Sequence, residues 1–391
     1  MKRVSTILLI FFIMMEISAQ SKTGNLPVID FSKTYPEKEK NLQDVADLEY
    51  IPLETTDDVL LSEQDVLSHV SDKYILVHSP VRGDIFVFNR AGKIVSHFNH
   101  RGQGSREYAA IRDESGSNGT ILDEKNGEIF VCFRTIQVYS LSGEYKRTLP
   151  VNTIQYHSKV FNFDDEALLV YDDIIVNPAV KSNHETKPYR LISKKDGSLI
   201  SVLDIYLPER NSIFMSIEQG NNVRETQIYF PSNMYYGQDF VIADISSDTL
   251  YLLTRDRKLT PLLIRKPSTH ASSDPTIVWT TSLITDKFIL IGKIPINFNS
   301  GGGKSPVFTY ELETGEISEM SFIDLQVPIR RNRTWAIGSS PAIAKNMIAE
   351  LIWPERIINA YKAKRLKGDM EKLAKTLNED DNPVVRIVKF K

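Results

Sequence analysis

The stretch "IFVFNRAGKIVSHF", residues 85–98, decides the fold. Two runs of apolar and β-branched residues flank a turn at Gly92, which is the pattern of a β-hairpin. The pattern occurs four more times, with turns spaced roughly 50 to 60 residues apart. The later stretches are "IQVYSLSGEYKRTL" (136–149), "YRLISKKDGSLISVL" (189–203), "LYLLTRDRKLTPLL" (250–263, with Asp256-Arg257 in place of the glycine) and "VFTYELETGEISEM" (307–320).

A strand-rich repeat of this length is typical of a β-propeller, in which each repeat forms one antiparallel blade. A further apolar strand precedes each hairpin, for example "YILVHS" (74–79) and "EIFVCF" (128–133). One blade cannot bury both of its faces, so blades must stack around an axis. Two stacked β-sandwiches are the alternative, which the even spacing disfavours.

Both ends of the chain supply a sixth blade. "ADLEYIPLE" (46–54) and "NPVVRIVKFK" (382–391) have strand character, and pairing them in one blade would close the ring. The sequence therefore predicts an all-β fold, a six-bladed β-propeller of four-stranded antiparallel blades over residues 46–391. A helical insertion is expected at 354–378, divided or kinked at Gly368, with a basic face that is either solvated or bound to an anionic partner.

Residues 1–19 are expected to be a signal peptide. Lys2 and Arg3 precede an apolar run, and Ala19 is the small residue that a signal peptidase needs. A buried N-terminal helix is the alternative. The cleavage site has no cysteine, so we expect no lipid anchor, and no other apolar run is long enough to span a membrane. The mature chain would begin with a lead-in segment, 20–45, and be periplasmic or extracellular.

The hairpin repeat, together with the strands at the two ends of the chain, resembles the six-bladed β-propeller family of exported Bacteroidetes proteins. That family is related in architecture to NHL-repeat propellers. The resemblance implies this fold for the whole mature chain, but no particular activity. It also implies a proline where this chain has Ser105. The residues that carry it are "DLEYIPLET" (47–55), "FVFNRAGK" (86–93), "GQGSREY" (102–108) and "DDNPVVRIVKFK" (380–391).

The stretch "FNHRGQGSREY" (98–108) is a candidate ligand site. A dinucleotide cradle is rejected, because Glu107 stands where a third glycine belongs and no helical period follows. Two interpretations stay open. In a binding site, Arg101 and Arg106 would hold a carboxylate or an acidic sugar, with Glu107 and Tyr108 beside them. In a structural corner, the glycines would permit positive φ, Glu107 would pair with an arginine or cap backbone N–H groups, and Tyr108 would pack between blades.

A second candidate is the aromatic stretch "QIYFPSNMYYGQDF" (227–240). Its side chains Tyr229, Phe230, Tyr235 and Tyr236 can stack on a sugar or grip a peptide, or they can pack an insertion against the ring.

The sequence contains no motif for nucleic-acid binding, metal binding or nucleophilic catalysis. The net charge of -3 offers no field to attract nucleic acid. The sequence has no zinc spacing, no calcium loop and no nucleophile elbow. No cofactor is evident, although a divalent metal in the central channel stays open because its ligands can be remote in sequence.

Three functions fit these observations. The first is a non-catalytic binding or scaffolding propeller in the cell envelope, which recognises a glycan, a peptide or an envelope protein on its loop face. The second is an enzyme, such as a lyase, a lactonase or a glycan-active hydrolase, that acts at the channel mouth. The third is an accessory part of an envelope transport or sensing complex that docks through the helical insertion. Fold alone does not choose among them.

The signal peptide is open to a direct test. Edman sequencing of the exported protein should begin at or near Gln20. Ala19→Arg, which removes the small residue at the cleavage site, should leave an uncleaved precursor. A mature protein that retains Lys2 and Arg3 would contradict the prediction.

Overall fold

In the computed structural model, the described residues are 26–111, 119–150, 158–172, 186–219, 222–228, 233–271, 277–299, 306–326 and 345–391. The expected signal peptide lies outside these ranges. The predicted six-bladed propeller, built on four-stranded antiparallel blades, is confirmed.

The N-terminal segment runs along the outside of the ring. Its first two strands each pair in parallel with the outermost strand of a blade formed much later in the chain, the fourth blade and then the fifth. Its third strand belongs to the sixth blade. The elements are β1 (Val28–Asp30), β2 (Glu37–Asn41), α1 (Leu42–Val45) and β3 (Ala46–Pro52).

The first three blades each consist of four consecutive antiparallel strands. The first strand of each blade is the innermost and lies beside the first strand of the next blade. The strands are β4 (Val66–Val70), β5 (Tyr74–His78), β6 (Ile85–Asn89) and β7 (Ile94–Phe98); β8 (Thr120–Asp123), β9 (Glu128–Cys132), β10 (Ile136–Ser140) and β11 (Tyr145–Leu149); and β12 (Ser158–Asn162), β13 (Ala167–Asp172), β14 (Tyr189–Ser193) and β15 (Leu199–Val202).

A hairpin precedes the fourth blade and forms a small sheet of its own with one short parallel strand. The fourth and fifth blades each have four antiparallel strands plus the parallel strand added by the N-terminal segment. The elements are the hairpin β16 (Ile213–Gln219) and β17 (Asn222–Ile228) with β24 (Asn297–Asn299); the fourth blade β18 (Asn233–Tyr236), β19 (Asp239–Ile242), β20 (Thr249–Leu253) and β21 (Leu259–Lys266); and the fifth blade β22 (Ile277–Ile284), β23 (Phe288–Pro295), β25 (Val307–Glu311) and β26 (Ile317–Ile323).

The sixth blade joins the two ends of the chain, as the sequence predicts. Its described strands are β27 (Met347–Ile352), β28 (Val384–Phe390) and β3, and the C-terminal strand β28 lies in the middle, antiparallel to both neighbours. The expected helical insertion separates β27 from β28 and consists of two helices, α2 (Pro354–Lys362) and α3 (Gly368–Ala374). None of the described helices is both long enough and apolar enough to span a membrane.

The five predicted hairpin turns share one backbone conformation. Four of them place a glycine at positive φ, between 70° at Gly315 and 85° at Gly143. The fifth turn has Arg257 at the same place, with a φ of 66°. The turn therefore keeps its conformation with arginine in place of glycine, although a residue with a side chain is strained at positive φ.

Buried side chains hold each blade to both of its neighbours. Six apolar clusters of the described residues each span one junction, and the sixth junction returns to the first blade. The clusters contain Val87 with Val131, Val138 with Val170, Leu169 with Phe240, Val241 with Ile291, Leu290 with Val388, and Val385 with Val77.

Asn382 ties the C-terminal strand to the loop that enters the first blade. Its buried Nδ2 donates to the carbonyl oxygens of Glu54 and Val59, each at 2.7 Å. Its Oδ1 accepts from the backbone N–H of Leu61 at 2.8 Å. One side chain thus satisfies three backbone groups at the point where the ring closes.

Replacing Asn382 should therefore destabilise the ring. Asn382→Ala leaves buried backbone groups without partners, and we expect it to lower the free energy of unfolding by about 2–4 kcal/mol. The matched control is Asn378→Ala, because Asn378 is exposed and should change stability by less than about 0.5 kcal/mol. Urea unfolding followed by circular dichroism measures both, and equal effects would contradict this role of Asn382.

Candidate functional site

The ring has two distinct ends. At the hairpin end, the first strand of each blade turns into the second, and the turns at Gly92 and Gly143 also lie there because strands alternate in direction. At the connection end, the chain passes from one blade to the next, as residues 99–111 do after β7.

A cleft of about 210 Å³ opens at the hairpin end between the innermost strands of the first four blades. We call it the inner-strand cleft. It is smaller than the 300 Å³ or so at which drug-sized pockets begin, so it suits one ring-sized group. Its lining residues are Ser68, His69, Thr120, Ile121, Leu122, Asn162, Phe163, Tyr235, Gly237, Gln238 and Arg255.

Two hydroxyls in the cleft wall meet a buried imidazole. Ser68 Oγ lies 2.5 Å from Nδ1 of His78, and Thr120 Oγ1 lies 3.0 Å from the same nitrogen and donates to Ser68 Oγ at 2.8 Å. Ser68 is the extra residue of a β-bulge in β4, between the paired residues Leu67 and His69. Bulges re-aim side chains and are common beside functional sites.

Charged groups around the cleft are already paired. His69 Nε2 lies 3.3 Å from Glu124 Oε1, and this hydrogen bond lowers the pKa of the Glu124 carboxyl. Arg255 and Lys125 both bind Asp165, and their hydrogen bonds, that of Lys125 first, lower the pKa of Asp165. The arrangement leaves the cleft close to neutral.

The side-chain oxygen of Asn162, in the cleft wall, lacks a hydrogen-bond donor among the described residues. Its Nδ2 donates to the carbonyl of Leu122 at 3.2 Å, and its backbone N–H donates to Tyr235 Oη at 2.8 Å. Its Oδ1 is buried, and no donor in the described part of the chain reaches it. A buried acceptor without a partner is costly, which makes this atom a point where a ligand donor would be stabilised.

The two predicted tyrosines are both anchored at the hairpin end. Tyr235 lines the cleft, its ring centroid lies 5.3 Å from that of Phe240 in an edge-to-face arrangement, and burial raises the pKa of its phenol. Tyr236 donates to Asp286 Oδ1 at 2.9 Å, and burial raises its pKa to about 12. Tyr229 and Phe230 lie outside the described residues.

The stretch at 98–108 makes the contacts of a corner. Glu107 Oε2 accepts from the backbone N–H of Gly104 at 2.7 Å, and buried Tyr108 donates to the carbonyl of Gly83 at 2.6 Å. A Cβ on Gly102 would lie 1.9 Å from Glu107 Oε2. Gly102 is not at positive φ, contrary to the expectation from the sequence, and a side chain there would have to displace the flexible Glu107 carboxylate.

The two predicted arginines are exposed at the connection end. Arg101 donates through Nη1 to the carbonyl of Val81, and the Arg106 guanidinium lies 5.5 Å from the centroid of the Tyr145 ring. The structure therefore does not bring the predicted residues together, since the arginines and the tyrosines lie at opposite ends of the ring. In the described ranges, no three His, Cys, Asp or Glu side chains are placed to share a metal ion.

Sequence reasoning missed Ser68, His78, Thr120 and Asn162. They come from three blades, and each is an ordinary polar residue in a strand, so no local spacing marks them. The one available signal was the position of Asn162 at the end of an innermost strand, where side chains of neighbouring blades converge.

Two solved structures are similar to this chain at low sequence identity. An exported protein of Bacteroides fragilis NCTC 9343 is 13% identical with a TM-score of 0.62, covering 93% of this chain and 99% of that one. A DUF4221 family member from Bacteroides vulgatus ATCC 8482 is 11% identical with a TM-score of 0.45, covering 89% and 97%. The Bacteroides fragilis structure confirms, for the fold, the predicted resemblance to exported Bacteroidetes propellers.

No curated protein matches the sequence significantly. A family model described as "Domain of unknown function (DUF4934)" matches residues 26–389, which is nearly the whole described chain. The match spans the N-terminal segment, all six blades and the C-terminal strand that closes the ring. The chain therefore belongs to the DUF4934 family.

Proposed function

We propose that this chain is an exported, non-catalytic binding propeller whose inner-strand cleft holds a hydroxyl-bearing group, such as one residue of a glycan. The observation that carries the proposal is the unsatisfied Oδ1 of Asn162, a residue that lines the cleft. A ligand hydroxyl donating to this atom would supply the hydrogen bond that the described residues do not.

The rest of the lining supports a neutral, polar ligand. The basic side chains of His69 and Arg255 contact carboxylates, so they do not select an anion by charge alone. Tyr235 and Phe163 add aromatic surface, which suits the apolar face of a sugar ring. Peptides and envelope proteins are the alternative ligands that we propose for this surface.

Localisation follows from the same proposal. The N-terminal sequence predicts export, and a glycan-binding propeller would act in the periplasm or at the cell surface. The exposed Arg101 and Arg106 at the connection end stay a second proposed position for an anionic ligand.

A pair of variants tests whether the ligand binds at the hairpin end or at the connection end of the ring. Wild-type protein is screened against a panel of neutral and acidic oligosaccharides, and any binder is measured by isothermal titration calorimetry. Asn162→Ala should weaken binding about tenfold, the value of one hydrogen bond in a dry site. Arg101→Ala is the control at the opposite end and should leave affinity unchanged.

Three results would contradict the proposal: binding of no oligosaccharide, unchanged affinity in Asn162→Ala, or loss of binding in Arg101→Ala alone. The last would move the ligand to the connection end. Thermal melting separates lost binding from lost folding, because Asn162 also donates to the Leu122 carbonyl.

A hydrolase is the second candidate function, favoured by the contact of Ser68 with His78. In an ester hydrolase, Ser68 Oγ would attack the ester carbonyl carbon while its proton passes to His78 Nδ1. The leaving alcohol would take that proton, and water would then release the acid from the acylated serine.

A fluorophosphonate probe decides between the two candidates. If Ser68 is a nucleophile, its Oγ displaces fluoride from phosphorus, and mass spectrometry finds the adduct on Ser68. Ser68→Ala should then abolish labelling, whereas Ser71→Ala, three residues along the chain, should retain it. Wild-type protein that stays unlabelled would exclude this activity and agree with the binding function.

A further inference from the structure

One group of charged side chains joins the turns of three neighbouring blades. Lys125 lies in the turn from β8 to β9, Asp165 in the turn from β12 to β13, and Arg255 in the turn from β20 to β21. Lys125 Nζ and Arg255 Nη2 bind the two different oxygens of the Asp165 carboxylate. Arg255 is also one of the residues that line the inner-strand cleft.

The guanidinium of Arg255 uses few of its hydrogen-bond donors. Arginine carries several N–H groups in a rigid planar fork. The Nη2 of Arg255 donates to Asp165, whereas its Nε and Nη1 reach no acceptor in the described part of the chain. Its side chain is 40% exposed, so a ligand can reach it from solution. The backbone N–H of Arg255 donates to Asp239 Oδ1 at 2.9 Å, which fixes the turn that carries it.

We propose that Arg255 is a specificity-determining residue of the cleft, and that its unused N–H groups donate to the oxygens of two neighbouring hydroxyls on one neutral sugar residue. Asp165 is the positioning residue that holds the guanidinium in place. This inference rests on the binding function proposed above. It adds a donor in the fourth blade to the acceptor that Asn162 supplies in the third.

The balance of charge favours hydroxyl oxygens over a ligand carboxylate. The turn at 164–166 carries three carboxylates, and three cations contact them, namely Lys125, Arg255 and Arg257. The positive charge of Arg255 is therefore already compensated, whereas its capacity to donate hydrogen bonds is not. A neutral group with lone pairs uses that capacity without bringing a further negative charge beside the turn.

The contact with Asp165 makes Arg255 a better donor. A free arginine side chain samples many rotamers, and ordering it on binding costs affinity. Hydrogen bonds from Lys125 first, and then from Arg255, lower the pKa of the Asp165 carboxyl, so it is ionised at neutral pH. Asp165 thus holds the guanidinium before the ligand arrives, and its effect on binding is exerted through Arg255.

Isothermal titration calorimetry with neutral xylo-, malto- and cello-oligosaccharides and with acidic oligogalacturonides tests the proposal. Arg255→Met should weaken binding of the neutral oligosaccharide at least about fivefold, because it removes the hydrogen bonds to the ligand. Lys258→Met is the matched control. Lys258 is exposed in the same turn, so its replacement removes the same charge, and it should leave affinity unchanged.

A double-mutant cycle tests the role of Asp165. Asp165→Ala should weaken binding about threefold in the wild type, the value of an exposed ion pair. In the Arg255→Met background, the same replacement should have no further effect, because the side chain that it positions is gone. Equal weakening in both backgrounds would show that Asp165 acts on the fold instead, and would overturn its positioning role.

The outcomes separate this inference from the binding function on which it rests. Affinity that falls in Asn162→Ala but not in Arg255→Met would overturn the role of Arg255 and leave the binding function intact. Binding of the acidic oligosaccharides alone would overturn the assignment of hydroxyl oxygens. If no oligosaccharide binds the wild type, the binding function fails and this inference fails with it. Thermal melting checks that every variant folds.

Discussion

Burial of both faces of every blade is the constraint on which the structure depends. A blade with two apolar faces is stable only between two neighbours, so an open row of blades would leave two faces in water. The sixth blade removes both exposed faces at once, because β28 lies between β27 and β3 and contributes to the clusters on either side. The hydrogen bonds of Asn382 then fix the loop that leads from this blade to the first.

Local sequence pattern predicted most of the ring. The hairpin turns could be predicted because positive φ selects glycine, which occurs at positions Gly92, Gly143, Gly197 and Gly315. The spacing of these turns revealed the repeat. The strands β1 and β2 were not visible within the lead-in segment. β1 is three residues long, β2 is almost entirely charged, and each pairs with a strand more than 200 residues away. No short-range pattern encodes such a pairing.

The inner-strand cleft depends on the same long-range geometry. Ser68, Thr120 and Asn162 are adjacent only because the innermost strands of three blades converge. The stretch at 98–108 had the more conspicuous composition, yet its glutamate and tyrosine are used to turn the chain between blades. The unusual composition of residues 98–108 therefore indicated a tight turn. The unsatisfied acceptor of Asn162 became apparent only from its burial in the structure.

The path of the N-terminal segment determines when the molecule can finish folding. Val28 pairs with Ile264, Glu37 with Glu319, and Ala46 with Phe390, so the first strands of the chain pair with strands that follow more than 200 residues later. Blades one to three can form from local hairpins while the rest of the chain is still being synthesised. β3 stays unpaired until the C-terminal strand is made, and formation of the complete ring is a late step because its contacts are the most distant in sequence.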